Sequence, residues 1–173
     1  MTIADSYQDI VTWATTPYYN GLTYDVKKTP KLTVSEQRKI AQNNEKEWGN
    51  QIIGQKDNGN WTTLLGEGIV FETLKKLGEN PRKPKTKNGY SPDWETDNYI
   101  YEVKTRNWTT SGTAGEKVLG VMYKYSDIPE LYGKPLKIVC VAYQEHELTY
   151  GNTKIFGNVS PSKKIFLDTA KSL

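Results

Sequence analysis

Three charged residues lie close together in a stretch of sequence that predicts two short β-strands. Asp93 precedes a polar turn at 96–98, and Glu102 and Lys104 follow that turn in a run rich in β-forming residues. Because side chains alternate along a strand, Glu102 and Lys104 are predicted to point to the same face. A charged pair on a face that packs against a core or a cleft needs partners, and Asp93 on the preceding strand is the nearest candidate.

Two neighbouring carboxylates and a lysine suit the hydrolysis of a phosphodiester. The carboxylates repel each other, and a divalent cation relieves that repulsion; a few hard oxygen ligands favour magnesium or manganese. A lysine beside the cation can orient or deprotonate a water molecule, or it can stabilise charge on a phosphate. The same pattern is compatible with a surface hairpin whose charges are simply solvated.

A further carboxylate is predicted on the apolar face of a helix. Apolar residues recur at helical spacing over 61–77, and Glu67 is predicted near the middle of the face that they form. A carboxylate in that position needs a metal or a hydrogen-bonded partner. The sequence leaves open whether Glu67 belongs to the site or forms a salt bridge with a lysine or arginine at the edge of the core. The apolar residues of this predicted face are Leu64, Val70, Phe71, Leu74 and Leu77.

A basic segment joins this helix to the hairpin. Between 75 and 87 the chain carries six basic residues against one acidic residue, Glu79. Such a patch beside the proposed site predicts contacts with phosphates, and a solvated loop is the alternative. Lys117, near the start of a helix predicted from Ala114 to about Tyr125, is open to the same two interpretations. The six basic residues are Lys75, Lys76, Arg82, Lys83, Lys85 and Lys87.

The hairpin resembles a known nuclease motif. Pro92-Asp93, followed after eight residues by Glu102-Val103-Lys104, is similar to the motif of the PD-(D/E)XK nucleases, which include many type II restriction endonucleases. Gly66-Glu67-Gly68 is similar to a Gly-Glu step on the first core helix of many of these enzymes. The resemblance covers about residues 61–143. It implies a restriction-endonuclease-like α/β fold, with a central mixed β-sheet flanked by helices.

The resemblance also implies roles for individual residues. Asp93, Glu102 and the carbonyl of Val103 would hold Mg²⁺. Lys104 would orient or activate the attacking water, and Glu67 would be a further catalytic residue that acts either beside the metal ligands or on another metal. Contacts with DNA are expected at Lys83, Lys85, Lys87, Arg106 and Lys117.

The implied activity is hydrolysis of phosphodiester bonds in double-stranded DNA. A sequence-specific type II restriction endonuclease is the first expectation, acting as a homodimer because two-fold symmetry matches a palindromic site. A repair, junction-resolving or homing nuclease of the same superfamily is an alternative. So is a DNA-binding module that does not cleave.

Length and composition place limits on the whole chain. The 173 residues fit one nuclease domain, with a mainly helical N-terminal part at 1–60, a catalytic core at 61–143 and a C-terminal part at 144–173. The net charge of +3 does not by itself indicate a nucleic-acid partner. One cysteine excludes an intrachain disulfide, and one histidine excludes a Cys/His zinc cluster. No apolar segment of membrane-spanning length and no signal pattern are present, so an intracellular, cytoplasmic protein is predicted.

The remaining elements follow from capping signals and periodicity. Thr33 and Glu36 have capping-box spacing, which predicts a helix that continues to about Ile53. A strand is predicted at 137–143, and a helix before it implies a right-handed crossover and a parallel strand pair. Residues 144–147 are predicted as a polar strand end. Residues 163–170 are predicted as a last strand or helix.

Overall fold

The structure is a computed structural model that describes residues 7–16, 32–54, 61–109, 116–150 and 158–171. Within these ranges the chain is α/β, with three strands and helices before, between and after them. In chain order the elements are α1 (Tyr7–Thr15), α2 (Val34–Ile52), α3 (Trp61–Lys76), β1 (Trp94–Glu95), β2 (Ile100–Arg106), α4 (Glu116–Lys124), α5 (Ile128–Tyr132), β3 (Leu136–Ala142), α6 (Tyr143–Tyr150) and α7 (Pro161–Lys171).

The strands form one small mixed sheet in the order β1-β2-β3. Strand β1 is antiparallel to β2 and pairs Trp94 with Tyr101. Strand β3 is parallel to β2 over its whole length, from Ile100 opposite Leu136 to Arg106 opposite Ala142. Helices α4 and α5 make the crossover between the two parallel strands. The predicted mixed sheet, hairpin and crossover are therefore confirmed.

Alternation along β2 divides the core into two layers. On one face Tyr101 and Val103 pack with α1 and α3, whose apolar residues form the larger cluster. On the other face Ile100 packs with Val121 and Ile128 from α4 and α5. Burying apolar side chains on both faces explains why helices flank the sheet on both sides. The larger cluster consists of Ile10, Trp13, Ile52, Trp61, Leu65, Val70, Leu74, Tyr101, Val103, Val141 and Ala142.

Local signals set the limits of the two long helices. The predicted capping box is present at α2, because the Thr33 hydroxyl accepts from the Glu36 N–H while the Glu36 carboxylate accepts from the Thr33 N–H at 2.8 Å. Helix α3 ends at Lys76, and Gly78 follows with a φ of 81°, which glycine adopts without strain. The Glu79 N–H then donates to the Leu74 carbonyl at 3.0 Å and closes the helix end.

Two predictions for the C-terminal part are corrected or resolved by the structure. Residues 144–147 are not the end of a strand: Ala142 takes a positive φ of 58°, and the chain turns directly into helix α6. Residues 163–170 lie in helix α7 rather than in a strand. The segment 110–115 and the helix start predicted at Ala114 lie outside the described residues, and α4 is described from Glu116. No helix among the described residues is long and apolar enough to cross a membrane.

Candidate active site

The hairpin places Asp93 where the antiparallel ladder ends. The Asp93 N–H donates to the Tyr101 carbonyl at 3.0 Å, and strand β1 begins only at the next residue. The Val103 N–H therefore has no backbone partner on β1, and it donates instead to Asp93 Oδ2 at 2.6 Å. Because the N–H and C=O of one residue point to the same side of a strand, the Val103 carbonyl faces the side that Asp93 occupies.

Glu102 is a buried carboxylate that is only half satisfied. Its residue surface is 3% exposed, and its Oε1 accepts a hydrogen bond from the Lys104 ammonium. Its Oε2 is buried without a hydrogen-bond partner among the described residues. The Tyr125 hydroxyl from the end of α4 lies close by: burial, followed by the charge of Glu102, raises the pKa of Tyr125 to about 12. The predicted same-face arrangement of Glu102 and Lys104 is confirmed.

A glycine brings helix α3 against β2, on the face opposite to Glu102 and Lys104. A Cβ at Gly66 would lie 1.6 Å from the Thr105 hydroxyl oxygen, so only glycine allows this approach of α3 to β2. The Trp94 indole donates to the Glu67 carbonyl at 3.0 Å and ties β1 to the same turn of the helix. The next side chain along α3, that of Glu67, is therefore held close to the hairpin.

Glu67 lies at the margin of the buried helix face and not in its middle. The buried residues of α3 are centred on Leu65, Gly66 and Val70, whereas Leu64 is 49% exposed and Leu77 is 73% exposed. The Glu67 carboxylate accepts a hydrogen bond from the Lys83 ammonium at 2.8 Å. The salt bridge to a lysine at the edge of the core is therefore present. The negative charge of Glu67 nevertheless contributes to the raised pKa of Asp93.

The electrostatics of Asp93 show that the carboxylates share one environment. Burial raises the pKa of Asp93 from 3.8 to about 6, and the charges of Glu102 and Glu67 add to this rise. The hydrogen bond from the Val103 N–H and the charge of Lys104 act in the opposite direction. Asp93 in the protein alone is thus more easily protonated than an ordinary aspartate, and a nearby cation would reverse that preference.

The substitution Asp93→Asn is expected to raise the melting temperature of the metal-free protein at neutral pH. The folded pKa of about 6 lies above the ordinary 3.8, so stability contributed by the protonated carboxyl is present below pH 3.8 and is lost as the pH rises through about 6. Asparagine stays neutral and can still accept from the Val103 N–H. Because solvent screens a partly buried group, we expect a gain of about 1 kcal/mol, or about 2–4 °C.

Thermal denaturation in a chelator, at neutral pH and at about pH 3.5, below both pKa values, checks this expectation. The gain should be confined to the higher pH. Asp97→Asn is the matched control, because Asp97 lies on the same hairpin but is exposed and paired with Arg82. A loss of stability in Asp93→Asn at neutral pH, or an equal change at both pH values, would contradict the expectation.

The oxygen atoms of this site suit a hard divalent cation. Among the described residues no three His, Cys, Asp or Glu side chains come together as a metal-binding group. The candidates are two carboxylates, Asp93 and Glu102, and the Val103 carbonyl. Glu102 Oε2 has no hydrogen-bond partner among the described residues and the pKa of Asp93 is raised, and a cation bound here would stabilise both carboxylates. The residues present therefore fit a cation held by few protein ligands.

The residues predicted to contact DNA fall into three environments. Lys83, Lys85 and Lys87 lie on the exposed basic loop, where they line a common cleft. Lys117 is exposed near the start of α4. Arg106 is 5% exposed, pairs with Glu147 and lies 4.6 Å from the centre of the Tyr143 ring. Its guanidinium is committed to the contact between β2 and α6, which leaves little surface for a DNA phosphate.

Two features of the site were not anticipated from the sequence. Tyr125 covers Glu102 although it lies 23 positions further along the chain; its spacing of four from the apolar Val121 on α4 was the available signal. The basic loop contains a tight turn at Asn88-Gly89, and Asn-Gly is a strong hairpin signal. Cys140 is partly buried, and this burial raises the pKa of its thiol to about 11.

Comparisons of the chain with protein-family models, with curated proteins and with solved structures find no match.

Proposed function

We propose that the protein is a magnesium-dependent endonuclease that hydrolyses phosphodiester bonds in double-stranded DNA. The observation that supports this most directly is the buried Glu102 carboxylate, which has Lys104 on one oxygen and, within the described part of the chain, no hydrogen-bond partner on the other. A carboxylate buried in this way is costly in a merely structural hairpin. Its position beside Asp93, with a pKa raised to about 6, favours a site that accepts a cation.

In this proposal the residues of the hairpin divide the work. Asp93, Glu102 and the Val103 carbonyl hold Mg²⁺. When bound, the cation supplies positive charge that polarises a phosphate and makes a water molecule more acidic. Lys104 orients the attacking water or stabilises charge on the phosphate, and Glu67 acts at the margin of the site, where Lys83 now holds its carboxylate.

The narrower proposal is a type II restriction endonuclease with a restriction-endonuclease-like fold that acts as a homodimer. The mixed sheet, with a hairpin that carries the acidic residues and helices on both faces, is compatible with that fold. A palindromic DNA site presents the same cleavable bond twice, and a two-fold dimer would place one carboxylate site at each. The resemblance of 92–104 and 66–68 to the nuclease motif is the second support.

Incubation with long genomic DNAs of mixed composition tests the proposal. We expect discrete fragments in Mg²⁺, no cleavage in a chelator, and none with Glu102→Gln, which keeps the shape of the side chain but removes its charge. Sequencing of the fragment ends would give the recognition site and the stagger. Duplex binding by the wild-type protein without any cleavage in Mg²⁺ or Mn²⁺ would support a DNA-binding module instead.

A further inference from the structure

A cleft of about 330 Å³ lies beside the carboxylate site, between the basic loop and α5. Four cations line it, together with one carboxylate and one phenol ring. Its lining residues are Arg82, Lys83, Lys85, Lys87, Glu95 and Tyr132.

The positive charge of this cleft is only partly neutralised by the protein. Arg82 donates to Asp97 at 2.8 Å and to Glu95 at 3.2 Å, and Lys83 pairs with Glu67. By contrast, Lys85 has no ion pair among the described residues. In the described ranges the Lys87 ammonium donates only to a backbone carbonyl, that of Leu131, at 2.9 Å.

A further cation acts on the single acidic residue of the cleft. Lys134 from the start of β3 donates to the same Glu95 oxygen that Arg82 contacts. Glu95 therefore cannot offset the charges of Lys85 and Lys87, because two cations already share it. The cleft carries an excess of about two positive charges at these two lysines, which favours an anion.

The loop that carries these lysines is held in one shape. Arg82 and Glu95 exchange backbone hydrogen bonds at 2.9 and 2.8 Å, which anchors the base of the loop on β1. At the tip, Lys87 and Tyr90 exchange backbone hydrogen bonds around Asn88-Gly89, whose φ angles of 47° and 79° are those of a tight hairpin turn. Backbone hydrogen bonds therefore fix this loop at both its base and its tip.

Helix α5 supplies the opposite wall and fixes the loop from that side. The Tyr132 hydroxyl donates to the Lys85 carbonyl at 2.7 Å. The ring of Tyr132 lies 4.7 Å from the Lys87 ammonium. The backbone at Lys85 and the ammonium of Lys87 are therefore positioned before a ligand binds, which lowers the entropic cost of binding.

We propose that this cleft binds a backbone phosphate of the nucleic acid that flanks the phosphate to be cleaved, with Lys85 and Lys87 as its main contacts. The inference rests on the proposed nuclease function. Lys83 connects the two sites, because it lines the cleft and its ammonium also pairs with Glu67. The cleft is larger than one phosphate needs, and the remaining space suits the sugar attached to it.

The salt dependence of duplex binding tests the proposal without any need for cleavage. Affinity of a fluorescent duplex of roughly 16 base pairs would be measured by anisotropy in a chelator, between about 50 and 200 mM NaCl. Each phosphate contact contributes about 0.9 to the slope of log affinity against log salt. We expect the Lys85→Ala, Lys87→Ala double variant to flatten the slope by about 0.9, the contribution of one phosphate, and the Lys85→Ala single variant to flatten it by less.

A charge-matched control is available on the exposed surface of α2 and α7. The Lys39→Ala, Lys163→Ala double variant removes the same two charges at exposed positions outside the cleft and should leave the slope unchanged. A slope in the cleft variant equal to that of the wild type or of this control would overturn the proposal. Binding of inorganic phosphate would be measured by calorimetry in parallel. If the cleft variant lost this binding while its duplex slope stayed unchanged, the cleft would bind only free phosphate, and the proposal would be overturned.

The outcome is separable from that of the proposed function. Failure of the wild-type protein to cut any DNA in Mg²⁺ would reject the nuclease, whereas an unchanged salt slope in the cleft variant would reject the phosphate site alone. Thermal denaturation of both double variants would verify that they remain folded.

Discussion

Replacement of Lys104 by alanine is expected to slow DNA cleavage by about a hundredfold or more, because a positioned proton acceptor or charge-stabilising group commonly contributes that much. Lys104 is placed for this role by the strand itself, which puts its ammonium on the Glu102 carboxylate. Single-turnover cleavage in Mg²⁺, with the enzyme in excess of the DNA and above the dissociation constant of the complex, measures the effect on the chemical step.

The same substitution should slow cleavage without weakening metal binding. Removal of Lys104 takes a positive charge from the Glu102 carboxylate, so Ca²⁺, used as a non-catalytic ion, should bind equally well or more tightly. Without metal the variant should be less stable than the wild type, since the buried Glu102 then has no cation at all. Calorimetric titration with Ca²⁺ and thermal denaturation in a chelator measure these two effects.

Lys137→Ala is the control for the loss of a lysine from the same sheet. Lys137 lies on β3, is exposed, and contacts the rings of Tyr99 and Tyr101 on the opposite face from Lys104. It should cut at nearly the wild-type rate. Normal cleavage by Lys104→Ala, or weaker Ca²⁺ binding in the folded variant, would refute the role given to this lysine.

The largest loss of stability is expected from Glu45→Ala. Glu45 is 1% exposed in the middle of α2, and its carboxylate accepts hydrogen bonds from α1 and from the segment that follows β2. The donors are the Trp13 indole at 2.9 Å, the Trp108 N–H at 2.8 Å, the Thr109 N–H at 2.9 Å, the Asn107 amide at 3.2 Å and the Thr109 hydroxyl.

Alanine at position 45 would leave these donors buried without their acceptor. Hydrogen bonds to a charged group contribute more than neutral ones, and unsatisfied buried donors carry their full cost of desolvation. We expect the free energy of unfolding to fall by about 3 to 5 kcal/mol, which is a large part of the stability of a typical domain. Urea denaturation measures the change.

Two further variants serve as controls: one at a different position on α2 and one at position 45 itself. Glu47→Ala removes an exposed carboxylate from the same helix and should change the free energy of unfolding by less than about 0.5 kcal/mol. Glu45→Gln keeps one accepting oxygen but turns an NH₂ group toward donors, so it should also be clearly destabilising. If Glu45→Ala were as stable as Glu47→Ala, the carboxylate would not hold the segment after β2 in place.

Features governed by local spacing were predictable from the sequence alone. Alternation along β2 put Glu102 and Lys104 on one face, and the polar turn at 96–98 brought Asp93 back beside β2, immediately before β1. The capping box of α2 and the parallel pairing of β2 with β3 followed in the same way, because a cap or a crossover depends on a few neighbouring residues or on the order of elements.

The tertiary structure alone decided which of these charges are buried and which have partners. Glu67 meets Lys83 because Gly66 lets α3 approach Thr105, and Tyr125 covers Glu102 because α4 packs on that face of the sheet. Glu45 was not singled out by the sequence, since its donors lie 32 to 64 positions away. A single sequence carries no direct record of such distant contacts: they depend on the angles and depths at which helices pack on a sheet, which the periodicity of each element does not specify.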